Sequence, residues 1–157
     1  MIDELKNIEY VLFDLDGTVS DSSEGITKSA DKALKSEGIN VPFETLTSFI
    51  GPALRVSFGR YTDDVEKRDR MLDVYRERYS EKGWCENKIY PGMAELLRDL
   101  QKSGKHVVLA SAKPEYFCRK IIKYFGVEQY FDFIGGAESD SSRDSKIEVI
   151  RYVCLLY

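Results

Sequence analysis

Short apolar runs that stop abruptly mark strands along this chain. Tyr10-Val11-Leu12-Phe13 ends in acidic and glycine-containing sequence. It reads as a fully buried strand of a parallel sheet. His106-Val107-Val108-Leu109-Ala110 is a second such run, and Phe131 to Gly136 is a weaker third. Between the runs, apolar residues recur at helical spacing. Pro91-Gly92 opens a helix with Met93, Leu96, Leu97 and Leu100 on one face, and Gly104 stops it. Pro114 opens another, with Phe117, Ile121, Tyr124 and Phe125 facing inward and Gly126 closing it. A last helix runs from Lys146 to Leu156, with Ile147, Ile150 and Val153 on a stripe that should cover the sheet. Strands alternating with helices predict an open α/β sheet with right-handed crossovers.

From about Ser22 to Lys88 this rhythm breaks, and no convincing strand is present. Ile26, Ala30, Ala33 and Leu34 predict one amphipathic helix ending near Gly38. Pro42 to Ile50 suggests a second, Leu54 to Tyr61 a short third, and Val65, Leu72, Tyr75 and Tyr79 a long charged fourth. A helical unit is therefore expected between the first and second strands. Ser139 to Ser145 reads as a polar loop.

A length of 157 residues fits one domain or a small core with an insert. The net charge of -4, with both signs interleaved, gives no electrostatic case for a nucleic acid polymer or an anionic membrane as partner. Cys85, Cys118 and Cys154 are odd in number and lack metal-ligand or redox spacing. They read as reduced, mostly buried thiols of a cytoplasmic protein. The start, Met1 to Lys6, has no basic region followed by an apolar stretch, so no signal peptide is expected. No apolar run approaches the roughly 20 residues of a membrane span.

The candidate chemistry lies just after the first strand. Asp14 and Asp16 are two apart, so a strand-like backbone puts both carboxylates on one side. The carboxyl end of a strand is where ligands bind in open α/β sheets. Gly17 lets the chain turn and lets backbone N–H groups approach an anion. Two carboxylates in one site repel, and a divalent cation such as Mg²⁺ is their natural neutraliser. Asp and Gly are also common turn residues, so a plain surface turn is the competing reading.

Asp14-Leu15-Asp16-Gly17-Thr18-Val19-Ser20-Asp21-Ser22 resembles the first signature of the haloacid dehalogenase superfamily. Leu109-Ala110-Ser111-Ala112-Lys113-Pro114-Glu115 is similar to the second, a strand ending in Ser or Thr, and Ser142-Arg143-Asp144-Ser145-Lys146 to the third, a helix-borne Lys. The matches agree in order and spacing over nearly the whole chain. The helical insert, together with Gly51-Pro52-Ala53-Leu54-Arg55 and Tyr90-Pro91-Gly92, resembles the mobile cap of the phosphoglycolate phosphatase-like and 5′-nucleotidase-like branch. The implied fold is a Rossmann-like parallel sheet core, residues 1–18 and 89–157, with a helical cap over residues 19–88.

The resemblance implies a Mg²⁺-dependent phosphatase working through an aspartyl-phosphate. Asp14 would attack phosphorus. Asp16 would protonate the leaving alcohol and then deprotonate water, a role the dehalogenases of the superfamily do not need. The Asp14 carboxylate and the Asp16 backbone oxygen would hold Mg²⁺. Leu15, Gly17, Ser111 and Lys146 would bind the phosphoryl group, Lys146 neutralising its charge and that of Asp14. Arg55 would reach a substrate anion from the cap as it closes about hinges near Thr18 to Ser22 and Trp84 to Tyr90. A Ser at a helix cap, a solvated Lys and a solvated Arg are the structural alternatives for Ser111, Lys146 and Arg55. His106 reads as structural. The expected substrate is a small phosphorylated metabolite, phosphoglycolate or a nucleoside monophosphate.

The family's fourth signature, an acidic cluster after a further strand, has no counterpart here. Asp140 and Asp144 lie in a loop of the wrong context, although Asp140 is a conceivable replacement ligand. The expectation is a C-terminally shortened chain with an incomplete sheet, weak Mg²⁺ binding and impaired activity, or a non-catalytic remnant that binds phosphate or a partner. The run Tyr10 to Phe13 would then be an apolar edge prone to self-association. A receiver-type domain also uses strand-end acids and a Lys, but the long insert argues against it.

Overall fold

Val107, Val108 and Leu109 are at most 1% exposed, and the strand that carries them is the middle of a parallel sheet. The structure is a computed structural model and describes residues 7–138, 143 and 145–156. Along the chain come β1 (Tyr10–Phe13), β2 (Ser20–Asp21), α1 (Ser23–Ser36), α2 (Leu54–Gly59), α3 (Val65–Arg78) and β3 (Lys88–Ile89). They are followed by α4 (Met93–Lys102), β4 (His106–Pro114), α5 (Glu115–Tyr124), β5 (Phe133–Ala137) and α6 (Lys146–Leu155). Among the described residues no helix is long and apolar enough to cross a membrane. The chain forms two compact units, one made of the segments up to Ser20 and from Ile89 on, the other of Asp21–Lys88. Val19 and Ser20 thus belong with the sheet, two residues beyond the boundary expected at residue 18.

In the first unit the strand order is β1-β4-β5, all parallel, with Tyr10 beside His106 and Val108 beside Phe133. β2 and β3 pair separately as a short ribbon. On one face of β4, Val108 and Ala110 pack against Val149 and Val153 of α6, with Phe133, Ile150 and Tyr152 alongside. The stripe that covers the sheet is therefore Val149 and Val153; Ile147 is 55% exposed. The register of α6 is set by its start: Ser145 caps it in a capping box with Glu148, which fixes Lys146 as the first helical residue. Similar shifts occur in α4, where Leu97 is buried and Leu96 exposed, and in α5, where Cys118, Ile121 and Ile122 are buried and Tyr124 is exposed.

β1 is not fully buried. Tyr10 and Leu12 are each 40% exposed, because β1 is an edge of the described sheet and α6 packs mainly on β4 and β5. They face an apolar hollow shared with Val108, Val153 and Cys154. Cys85, Cys118 and Cys154 are all free thiols, but only Cys118 is buried.

The second unit is helical, as its pattern predicts. α1 buries Ile26, Ala30, Ala33 and Leu34, and α3 buries Met71, Leu72 and Tyr75. Phe49 and Phe58 meet edge to face at 4.9 Å between ring centres, and Tyr75 and Tyr79 stack at 5.7 Å. The stretch after Pro42 is a 3₁₀ helix, Phe43–Phe49. Its hydroxyls explain the tighter winding: Thr45, Thr47 and Ser48 each donate to the carbonyl three residues back. Arg78 reaches Glu86 with two bonds of 2.8 and 3.0 Å and also donates to Ser29. That guanidinium holds the Glu86 carboxyl below its usual range.

Candidate active site

The loop after β1 is wound around one carbonyl. The Leu15 oxygen accepts from the N–H groups of Thr18, Val19 and Ser20, and the Gly17 N–H donates to the Ser20 oxygen at 2.8 Å. Gly17 has φ of +79°, a conformation that side chains resist, and this allows the turn. Leu15 and Val19 are fully buried, so the loop is anchored from below while Asp14 and Asp16 project from it. Both backbone donors expected for phosphate are engaged within the loop here: the Leu15 N–H donates to Asp14 Oδ1 at 2.8 Å, and the Gly17 N–H turns inward as described.

The two carboxylates have different partners. Asp14 Oδ2 lies 2.5 Å from Lys146 Nζ, in a partly exposed pair. Lys146 Nζ also donates to the Ala110 carbonyl at 3.1 Å, which ties α6 to the end of β4. Asp16 Oδ2 accepts from Lys113 Nζ at 2.7 Å, and these side chains are only 14% and 8% exposed. Asp16 Oδ1 is buried and has no hydrogen-bond partner among the described residues. Ser111 is 2% exposed, and its Oγ accepts from the Lys113 N–H at 3.3 Å, which leaves the hydroxyl proton to be donated. The structure thus gathers Asp14, Asp16, Ser111 and Lys146 at the carboxyl ends of β1 and β4. Arg55, on α2, is exposed and pairs with Asp69 at 2.6 Å within its own unit. His106, at the other end of β4, stacks on Tyr10 at 4.7 Å.

Two supports escaped the sequence reading. Lys113 is one. The other is Arg143, 13% exposed, whose guanidinium donates to the Gly136 carbonyl, Glu115 and Glu138 and lies 3.6 Å from the centre of the Tyr152 ring. It clamps the start of α6 to β5 and α5, and so places Lys146. Gly136 permits the clamp: a Cβ there would fall 2.5 Å from the Glu115 backbone. Cys118 beneath the site is inert, its thiol pushed up to about 12 by burial.

Among the described residues no group of three or more His, Cys, Asp or Glu side chains is placed to hold a metal. The oxygen donors that are present, the Asp14 carboxylate and the Asp16 carbonyl, fit Mg²⁺ in kind, since that ion prefers hard oxygens and keeps several waters. Asp140 lies outside the described residues.

A profile of the haloacid dehalogenase-like hydrolases matches residues 11–154. The chain belongs to that family. Among curated members, the tyrosine-protein kinase PtkA of Mycobacterium tuberculosis is 38% identical over 145 residues, covering 92% of this chain and 50% of PtkA. A 5′-nucleotidase of Pseudomonas aeruginosa is 39% identical over 145 residues, covering 91% and 66%. A phosphoglycolate phosphatase of Aquifex aeolicus is 31% identical over 133 residues, covering 84% and 62%. The chain thus spans half to two thirds of the length of these haloacid dehalogenase-like relatives. The crystal structure of a predicted phosphatase from Clostridium acetobutylicum superposes with a TM-score of 0.89 at 42% identity, covering 95% of this chain and 70% of that one. The fold of this family member is accordingly the α/β fold of the haloacid dehalogenase-like hydrolases.

Proposed function

We propose that this protein hydrolyses a small phosphomonoester through an aspartyl-phosphate on Asp14. The observation that carries the reading is the pair of strand-end carboxylates, Asp14 held by Lys146 at 2.5 Å and Asp16 by Lys113 at 2.7 Å. A Lys beside the nucleophile lowers the repulsion between an anionic carboxylate and an anionic phosphoryl group. In the first step an Asp14 oxygen bonds to phosphorus, the bond from phosphorus to the alcohol oxygen breaks, and that oxygen takes a proton from Asp16. In the second, water attacks the aspartyl-phosphate and gives its proton to Asp16, and the bond to Asp14 breaks to release phosphate. Ser111 donates its hydroxyl proton to a phosphoryl oxygen, and Lys146 stays with the transferred charge. The backbone N–H groups of Leu15 and Gly17 reach the phosphoryl once the loop bonds that engage them are exchanged. The Asp14 carboxylate and the Asp16 backbone carbonyl would hold Mg²⁺, which supplies further neutralisation when bound.

The names of two relatives, a 5′-nucleotidase and a phosphoglycolate phosphatase, favour nucleoside 5′-monophosphates and phosphoglycolate as substrates, while a third is named a tyrosine-protein kinase. The identity to the named 5′-nucleotidase, 39%, exceeds that to the named phosphoglycolate phosphatase, 31%. Arg55 would meet the substrate's far anion in exchange for Asp69. We place the protein in the cytoplasm, in keeping with its three free thiols. The test is phosphate release with Mg²⁺ from both substrates, from p-nitrophenyl phosphate and from a phosphotyrosine peptide, with Asp14→Asn as control. Release no greater than that of the control for every compound would overturn the reading, and would favour a phosphate-binding, non-catalytic protein.

A further inference from the structure

Lysine is rarely buried unless it is paired, and Lys113 is 8% exposed. It stands at the end of β4, where the pairing with β5 is irregular between Ala110 and Pro114, and two residues beyond Ser111. Its ammonium donates to Asp16 Oδ2 at 2.7 Å, and Asp16 Oδ1 has no hydrogen-bond partner among the described residues. Lys113 thus holds one oxygen of that carboxylate, and Oδ1, which has no partner among the described residues, is the one left to carry the transferable proton. Lys146 thus pairs with Asp14, and Lys113 pairs with Asp16.

We propose that Lys113 is a positioning residue that fixes the Asp16 carboxylate for proton transfer. The inference rests on the phosphatase reading above. An aspartate side chain has two rotatable bonds, and proton transfer needs the carboxylate within hydrogen-bond reach of the leaving oxygen and later of water. Loss of the tie would slow the steps that move a proton while leaving attack by Asp14 in place. A merely structural ion pair would instead weaken every step together.

The experiment uses leaving groups of different need. p-Nitrophenolate departs without a proton, whereas an alkoxide does not. With p-nitrophenyl phosphate, Lys113→Met should keep a first-turnover burst close to one equivalent, followed by slow turnover. With an alkyl phosphate the burst itself should slow by about a hundredfold, in the range that acid–base groups contribute, with KM changed less than about threefold. Lys113→Arg, which keeps the charge and a donor, should recover most of the loss. Equal slowing of the burst for both leaving groups, or no slowing for either, overturns the proposal. A second measurement covers a Lys113→Met protein that fails to fold and a wild type that turns over nothing, the latter being failure of the phosphatase reading itself. The Lys113 ammonium should give a protected proton–nitrogen NMR signal that moves or vanishes in Asp16→Asn. A Lys113 signal indifferent to Asp16→Asn overturns the proposal on its own.

Discussion

Asp14 and Asp16 leave the same short loop towards different lysines, and this divides their expected phenotypes. Asp14→Asn should lower turnover at least about a thousandfold, because an amide oxygen is a far weaker nucleophile than a carboxylate; turnover at the wild-type level rules out Asp14 as the nucleophile. Asp16→Asn should fold but stall at departure of the alcohol, seen as loss of activity with alkyl phosphates. Arg143→Ala removes a guanidinium with three polar partners and an aromatic face, and should cost about 2 kcal/mol. It should also lower kcat by freeing Lys146; a melting curve and a kinetic run separate the two effects, and unchanged kcat argues against the clamp. Mg²⁺ should bind weakly in calorimetry, with water filling most of its shell. The sequence named Asp14, Asp16, Ser111 and Lys146 through short local signatures. Lys113 and Arg143 lie inside the second and third of those signatures, yet what they hold could not be read there: Asp16 and Glu115 lie 97 and 28 residues away in the chain, and pairing over such distances leaves no periodic mark.

Elements were legible where an apolar pattern is local and strong, as in α1, whose Ile26, Ala30, Ala33 and Leu34 are all buried. They were less so where side-chain hydroxyls compete with the helix, as in the 3₁₀ stretch Phe43–Phe49, or where a cap sets the register, as in α6. The Arg78–Glu86 link belongs to this scale, since it joins the end of α3 to the segment before β3 inside the second unit. Glu86 has a folded-state value below its unfolded one. Its contribution is therefore complete above the unfolded range, about 4.3, and is lost as pH falls through the lowered folded value. Melting of the protein should be insensitive to Glu86→Gln in relative slope between pH 6 and 8, and should lose part of its acid decline below about pH 4 in that variant, Asp21 and Glu37, also held below their usual range, keeping the rest. An identical acid decline in both proteins would assign the decline to other carboxyls.

At the scale of the molecule, the apolar edge of β1 stands out. Tyr10 and Leu12 beside Val108, Val153 and Cys154 form an apolar hollow, next to a strand whose own residues, Tyr10 to Phe13, carry no charge. We expect concentration-dependent self-association through this edge, visible by analytical ultracentrifugation, and expect Leu12→Lys to reduce it. A monomer at every concentration contradicts this. The sequence predicted a buried β1 because alternation is absent from Tyr10-Val11-Leu12-Phe13; an apolar run shows that a strand wants cover on both faces, not what supplies the cover.

The ribbon of β2 and β3 has a bearing on how such a chain can change. Paired strands lie about 4.8 Å apart, so the points where the chain departs at Ser20 and returns at Ile89 are neighbours. Everything between them can be lengthened, exchanged or cut out without re-registering a single strand of the sheet. Closing so small a gap takes only a short turn. The second unit is in this sense a replaceable cassette: its helices can diverge while the loop that carries Asp14 keeps its place in the first unit.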